Sequence, residues 1–181
     1  MNNQLSNIEI RPTVSTDLAR LSALDHTIET DYVWQLDLHH APSQIAAGFR
    51  EVRLPRSVKL LHPRAAKDLP DTWHIRPMFS AVSGSEAIAY IRHTDQIIPH
   101  AVWITDVVVG RSWRRKGLAH KLIHAAEAWG VQRGLRRAII EVQSKNQPAI
   151  HMILKMGFEF CGYNDQYYAT RDVALFFVRS L

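Results

Sequence analysis

Apolar positions along this 181-residue chain change period several times, and the order of the changes predicts its elements. Residues 8–12, IEIRP, alternate and predict a first strand. Leu18, Leu21 and Leu24 follow at helical spacing within STDLARLSALDHTI, with Ser15 or Thr16 as the expected cap. The stretch DYVWQLDLHHAPS ends in a proline break, which places His39-His40 in a loop. Pro42, Pro55, Pro63, Pro70 and Pro77 then punctuate the chain, so the expectation for 42–77 is no long regular element and a short strand at most around REVRLP. Two apolar segments flank Ser83-Gly84-Ser85 and predict an antiparallel hairpin. AVWITDVVV, Ala101 to Val109, predicts a buried strand. A helix is expected from Gly117 to about Gly134, with Leu118, Leu122, Ala125, Ala126 and Trp129 on one side. RRAIIEVQ (Arg136 to Gln143) predicts a further buried strand. Asn146 then caps a helix with proline in its first turn and Gly157 as its stop. FEFCGY and VALFFVRS close the chain as strands, with Cys161 as a small core residue.

Antiparallel strands followed by strand–helix–strand–helix–strand define an α/β class around one mixed sheet. The unit spanning 101–143 places its two strands parallel. A hydrophobic share of 46% excludes wholesale disorder. No apolar run is long enough to span a bilayer, and MNNQLSNIEI lacks the pattern of a secretory leader. The single cysteine agrees with a reducing cytoplasm.

The net charge of +5 favours an anionic partner, and its distribution narrows the choice. Basic residues gather at Arg111 to Lys116 and at Arg133 to Arg137, without a basic block or tail. Aromatic and basic residues do not interleave, which argues against nucleic acid. The first cluster lies in VVVGRSWRRKGLAHKL, between a strand and a helix. A helix start has amides without intrahelical partners and a dipole that favours negative charge. A glycine there lets an anion approach the backbone. A phosphate or pyrophosphate site is therefore expected at Arg114 to Ala119. Neither the nucleotide-triphosphate loop nor the dinucleotide fingerprint is present. His120 and His124 have metal-ligand spacing but no supporting ligands, so no metal is expected.

RRKGLA is similar to the R/Q-x-x-G-x-G/A signature of the GCN5-related N-acetyltransferases, the GNAT superfamily. VQSKNQPAIHMILKMGFEFCGY resembles that family's later motif, with Asn146, Ala149, Gly157 and Phe158 in matching places. The likeness spans roughly residues 85–168, and ITDVVV, GFEFCGYNDQYY and VALFF look most like the streptothricin acetyltransferase branch. The resemblance implies a GNAT fold: a mixed, mostly antiparallel sheet with a splayed parallel pair of central strands and helices on both faces. It implies one domain over 1–181, in which 1–100 supply acceptor-side elements and 101–181 the acetyl-coenzyme A core. Acetyl-coenzyme A is expected between the strands 101–109 and 136–143. Val107, Val108 and Val109 would meet the pantetheine arm and the forming oxyanion. Arg114, Arg115, Lys116, Gly117, Leu118 and Ala119 would hold the pyrophosphate, Arg111 or Lys116 the 3′-phosphate, and Asn146 the pantetheine side.

Direct attack by an amine needs a base. Many relatives carry Glu-Asp where this chain has Thr105-Asp106, so the candidates are Asp106 and a water held by Thr105. Alternation along a strand would aim residues 105 and 106 at opposite faces. The family's tyrosine acid corresponds to Ile153, which leaves Tyr163, Tyr167 and Tyr168 as substitutes. Asp31, Tyr32, Trp34 and Tyr167 are candidates for acceptor contact. The acceptor is expected to be an amine on a small molecule or a protein. The partners allowed for exclude nucleic acid and membrane and include a homodimer. A non-catalytic acyl-coenzyme A binding module on the same fold is the competing reading.

Overall fold

The computed structural model describes residues 7–181; most of the opening stretch read for a leader lies outside them. A seven-stranded sheet forms the centre, in the order β1-β4-β5-β6-β7-β9-β8. Its strands are β1 (Ile8–Pro12), β4 (Met78–Ser83), β5 (Glu86–Thr94), β6 (Ala101–Val109), β7 (Arg137–Gln143), β8 (Glu159–Asn164) and β9 (Ala174–Ser180). Between β1 and β4 lie helix α1 (Leu18–Ser22), a separate hairpin of β2 (Thr27–Ala41) and β3 (Gln44–Leu61), and helix α2 (Leu69–Thr72). Helix α3 (Leu118–Gln132) connects β6 to β7, and α4 (Gln147–Lys155) follows β7. All pairings in the large sheet are antiparallel except β6–β7, as the strand–helix–strand unit requires.

Two apolar layers hold the sheet between its helices. Leu118, Leu122, Ile123 and Ala126 of α3 and Ile150 and Ile153 of α4 pack with Val102, Ile104, Ile140 and Val142 on one face. Leu18 and Leu21 of α1 and Leu69 of α2 cover Ala87, Tyr90 and Val108 on the other. At the far end of that second face, Ala101, Trp103 and Ile139 form a smaller cluster with Phe176. Burial of leucine- and isoleucine-sized side chains contributes about 1.5–3 kcal/mol each, so these layers dominate the stability of the sheet.

The region rich in proline departs most from expectation. β2 and β3 are long strands, and His39 and His40 lie within β2 rather than in a loop. Pro42 does not end the structure; with Ser43 it forms the two-residue turn joining Ala41 to its partner Gln44. Pro55 is accommodated because the ladder jumps there. Thr30 pairs with Val58 and Tyr32 with Arg53, so Leu54–Ser57 oppose Asp31 alone and Pro55 owes no ladder donor.

Three smaller expectations also change. Neither Ser15 nor Thr16 caps the first helix: both lie in a 3-10 turn (Ser15–Asp17) that leads into α1, with Val14 at the turn's cap position, where the Asp17 carboxylate accepts the Val14 amide at 3.1 Å, and Asp17 at the cap position of α1. Leu24 lies past the end of α1 but still packs against the same cluster. Cys161 is exposed on the edge strand β8 rather than in the core. Among the described residues, no helix is long and apolar enough to cross a membrane.

Candidate active site

The central feature is a gap between β6 and β7. Their parallel ladder runs from Ala101↔Arg137 to Ile104↔Ile140 and stops there. Beyond Ile104, β6 continues to Val109 paired only with β5. A bulge lies at the point of departure: Arg92 pairs with Asp106 and His93 with Ile104, leaving Thr105 as the extra residue. The bulge breaks the alternation expected across Thr105 and Asp106. Their side chains meet, with the Thr105 hydroxyl donating to Asp106 Oδ2 at 2.7 Å. The gap is a narrow slot lined by Thr105, Asp106 and Val107 from one lip, Glu141, Val142 and Gln143 from the other, and Asn146 and Ala149 beyond.

The free end of β6 leads into the basic loop. Gly110 lets the chain pass close to β5, where a Cβ would crowd the Ile88 carbonyl at 3.0 Å. Arg115 and Gly117 both take left-handed backbone conformations, with φ of 63° and 79°. Gly117 is the N-cap of α3 and supplies no side-chain acceptor, so the first amides of the helix keep their donors. A Cβ at Gly117 would meet nothing within 4 Å, so the backbone lies open there. Lys116 reaches over the Trp113 ring at 5.0 Å. Arg114 is turned inward: its Nε donates to Val109 O and its Nη1 to Thr27 O, each at 2.9 Å, and Nη2 donates to Asp25 O. This arginine fastens the loop to β6 and the start of β2.

A buried polar cluster stands at the root of the slot. Arg64 donates through Nη1 to the Thr105 carbonyl at 2.9 Å and to Asp106 Oδ1 at 3.2 Å, and through Nη2 to Glu141. Glu141 also accepts from Trp103 Nε1 at 2.6 Å and from the Tyr167 hydroxyl at 2.7 Å. His62 Nε2 lies 3.4 Å from Asp106 Oδ1, and its Nδ1 lies 3.2 Å from the Arg64 carbonyl. Burial pushes the Asp106 carboxyl up, but Arg64, His62 and the Thr105 hydroxyl outweigh it and hold it below the usual carboxylate range. Burial lowers His62 below the ordinary imidazole value, against the pull of Asp106. Burial raises Tyr168, with Glu141 adding to the effect, so its hydroxyl stays protonated.

Of the residues singled out from sequence, Thr105, Asp106, Val107 and Asn146 meet at the slot, and Arg115 to Ala119 form the loop and helix start at its end. Asn146 caps α4 by accepting the Ala149 amide at 3.2 Å. Val108 turns its side chain to the opposite cluster. Tyr163 is not brought to the slot; it lies on β8 with its ring 5.2 Å from Phe49. Trp34 packs against the main core, Tyr32 is half-buried, and Asp31 is exposed in the β2–β3 irregularity. Tyr167 bonds Glu141 rather than standing free. His62, Arg64 and Glu141 were not singled out, whereas Tyr168, one of the three substitute acids, does line the slot. Glu141 alone carried a signal, as a carboxylate inside an otherwise buried strand.

An opened parallel pair, a bulge at its root and an uncapped helix start at its end define an acyl-transfer scaffold. Such a scaffold accepts an extended, phosphate-bearing cosubstrate along a strand edge. Residues 46–158 match the model of the Acetyltransferase (GNAT) family. The chain belongs to the GNAT acetyltransferase family, whose cosubstrate is acetyl-coenzyme A. It is 31% identical over 176 residues to the streptothricin acetyltransferase of Streptomyces lavendulae, covering 90% of this chain and 87% of that protein. A shorter match, 38% identical over 68 residues, joins it to the streptothricin acetyltransferase of Escherichia coli and covers 39% of that protein's length. The fold is shared with the crystal structure of nourseothricin acetyltransferase, at a TM-score of 0.80 and 22% identity over 96% of this chain and 98% of the other. It is also shared with a Bacillus anthracis protein assigned as a streptothricin acetyltransferase, in complex with acetyl coenzyme A. That comparison has a TM-score of 0.75 and 18% identity over 96% and 99% of the two chains.

Proposed function

We propose that this acetyltransferase moves an acetyl group from acetyl-coenzyme A to an amine of a streptothricin-type small molecule. The observation that carries the reading is the continuity of three features: the unpaired edge of β6, the slot beside it, and the open helix start at Gly117. Acetyl-coenzyme A supplies an activated acetyl thioester. The residues fit it: Val107 and Val109 offer strand edge to the pantetheine arm, the amides from Arg115 to Ala119 offer donors to the pyrophosphate, and Asn146 closes the pantetheine side. Lys116 and Arg111 add positive charge near the phosphates, and Arg114 holds their loop in place.

The acceptor arrives as an ammonium ion and must lose a proton before its nitrogen forms the new C–N bond. Asp106 and His62 are the accepting pair. His62 rests neutral, and once protonated it finds an acceptor on either side, Asp106 and the Arg64 carbonyl. Thr105 orients the Asp106 carboxylate from the other oxygen. As the C–S bond breaks, coenzyme A leaves as a thiolate that accepts a hydrogen bond from the Tyr168 hydroxyl, a slot residue kept protonated by burial, and takes its proton from solvent on release. A small-molecule acceptor is supported by the streptothricin acetyltransferases among the relatives.

The test is thiol release from acetyl-coenzyme A with streptothricin, an aminoglycoside, spermidine and a peptide with a free N-terminus. We expect kcat/KM to be highest for streptothricin, and Asp106→Asn to lower it about 10²–10⁴-fold, the usual weight of a proton-transfer group. Gly117→Val puts a β-branched residue into a left-handed position and its side chain into the open space, so donor affinity falls. Equal rates for the peptide and streptothricin would refute the acceptor class, and unchanged donor affinity in Gly117→Val would refute the cofactor placement.

A further inference from the structure

We propose that Arg64 is a positioning residue, a crosspiece that sets the separation of β6 and β7 where the slot begins. The proposal rests on the reading of the slot as the donor site. The parallel ladder ends at Ile104↔Ile140. On the next residues of each strand the ladder is replaced by a single guanidinium. One arm, Nη1, takes the Thr105 carbonyl and Asp106 on β6, and the other, Nη2, takes Glu141 on β7. Glu141 is fixed from its other oxygen by Trp103 and Tyr167, so the crosspiece has a rigid footing. Arg64 follows closely on the end of β3, and the same short segment delivers His62 to Asp106. The root of the long hairpin is thereby joined to both lips of the slot.

The chemistry selects arginine. The Asp106 and Glu141 side chains are 1% and 0% exposed, and two buried carboxylates on facing strands repel unless a cation stands between them. A guanidinium is a planar fork that bonds two acceptors at a fixed spacing, whereas an ammonium is a point charge that balances the same charge without fixing a distance. Loss of the fork lets the lips move. Loss of its charge raises Asp106 and His62 together, because both are held down in part by Arg64.

Three variants separate geometry from charge: Arg64→Lys, Arg64→Met, and Arg64→Met combined with Glu141→Gln. Calorimetric affinity for acetyl-coenzyme A, kcat, and the pH profile of kcat/KM are measured for each, with thermal stability alongside. Arg64→Lys is expected to weaken donor affinity at least tenfold and lower kcat while leaving the acid limb of the profile in place. Arg64→Met is expected to do the same and to move the acid limb to higher pH. The double variant removes one of the two buried carboxylates left without the guanidinium, so it regains part of the lost stability but not donor affinity. Wild-type affinity and kcat in Arg64→Lys would overturn the crosspiece, since charge alone would then suffice. Recovery of both stability and affinity in the double variant would overturn it too. Failure of the wild-type protein to bind acetyl-coenzyme A would instead overturn the donor-site reading on which the proposal stands.

Discussion

At the scale of single residues, burial decides which charges the fold tolerates. His93 on β5 is 0% exposed, with neither ring nitrogen bonded, between the rings of Phe79 and Trp129 at 5.0 and 4.6 Å. Burial, helped by Arg133, pushes it down from 6.5 to about 4, against Asp95. Between those values the unfolded chain binds a proton that the folded chain refuses. The stability tied to His93 is therefore complete above about 6.5 and declines as pH falls toward about 4. Urea unfolding at pH 7 and pH 4.5 is expected to differ by about 2–3 kcal/mol from this residue, and His93→Leu to remove that part of the difference. An identical pH response in the variant would contradict the assignment. Residues whose work is local were legible in the sequence: Gly117 and Asn146 act on amides within a turn of themselves. Arg64 was not, because its partner Glu141 lies 77 positions away and no local pattern links them.

At the scale of elements, the sheet was readable and the hairpin was not. Strands buried on both faces, such as Ala101–Val109 and Arg137–Gln143, show as apolar runs because every side chain meets a layer. β2 and β3 pair mainly with each other, and their outer halves carry little burial to pattern the sequence. The inner half of the hairpin is anchored. The Trp34 amide donates to Ser144 O at 2.9 Å, Phe49 stacks near Phe160 and Tyr163, and Glu51 meets His151 at 2.8 Å. From Asp37 to Gly48 every residue is exposed. Replacing residues 39–46 by Asn-Gly joins the paired positions Leu38 and Ala47 through a tight turn. Exposed changes of this kind cost no more than about 0.5 kcal/mol, so the melting temperature should move by less than about 2 °C. A large loss on thermal unfolding would mean that the tip has a packing role.

At the scale of the whole molecule, charge and topology act together. The net charge of +5 and the basic helix start favour a cosubstrate with several phosphate charges. Donor affinity is expected to fall steadily as salt rises from 0.05 to 0.5 M, roughly the range over which screening shortens below 10 Å. Calorimetry at three salt concentrations checks this, and salt-independent affinity would place the phosphates away from the loop. The order of strands and helices identified the class of fold because connection rules leave few alternatives. The slot has one further consequence. Its lining includes Val142 and Ile153 from the layer under α3 and α4, and also His62 and Tyr168 from outside that layer. If donor and acceptor each meet their own part of this lining, they need no common doorway. Acceptor-side residues are then free to drift toward new amines over evolutionary time, while the grip on the donor stays as it was.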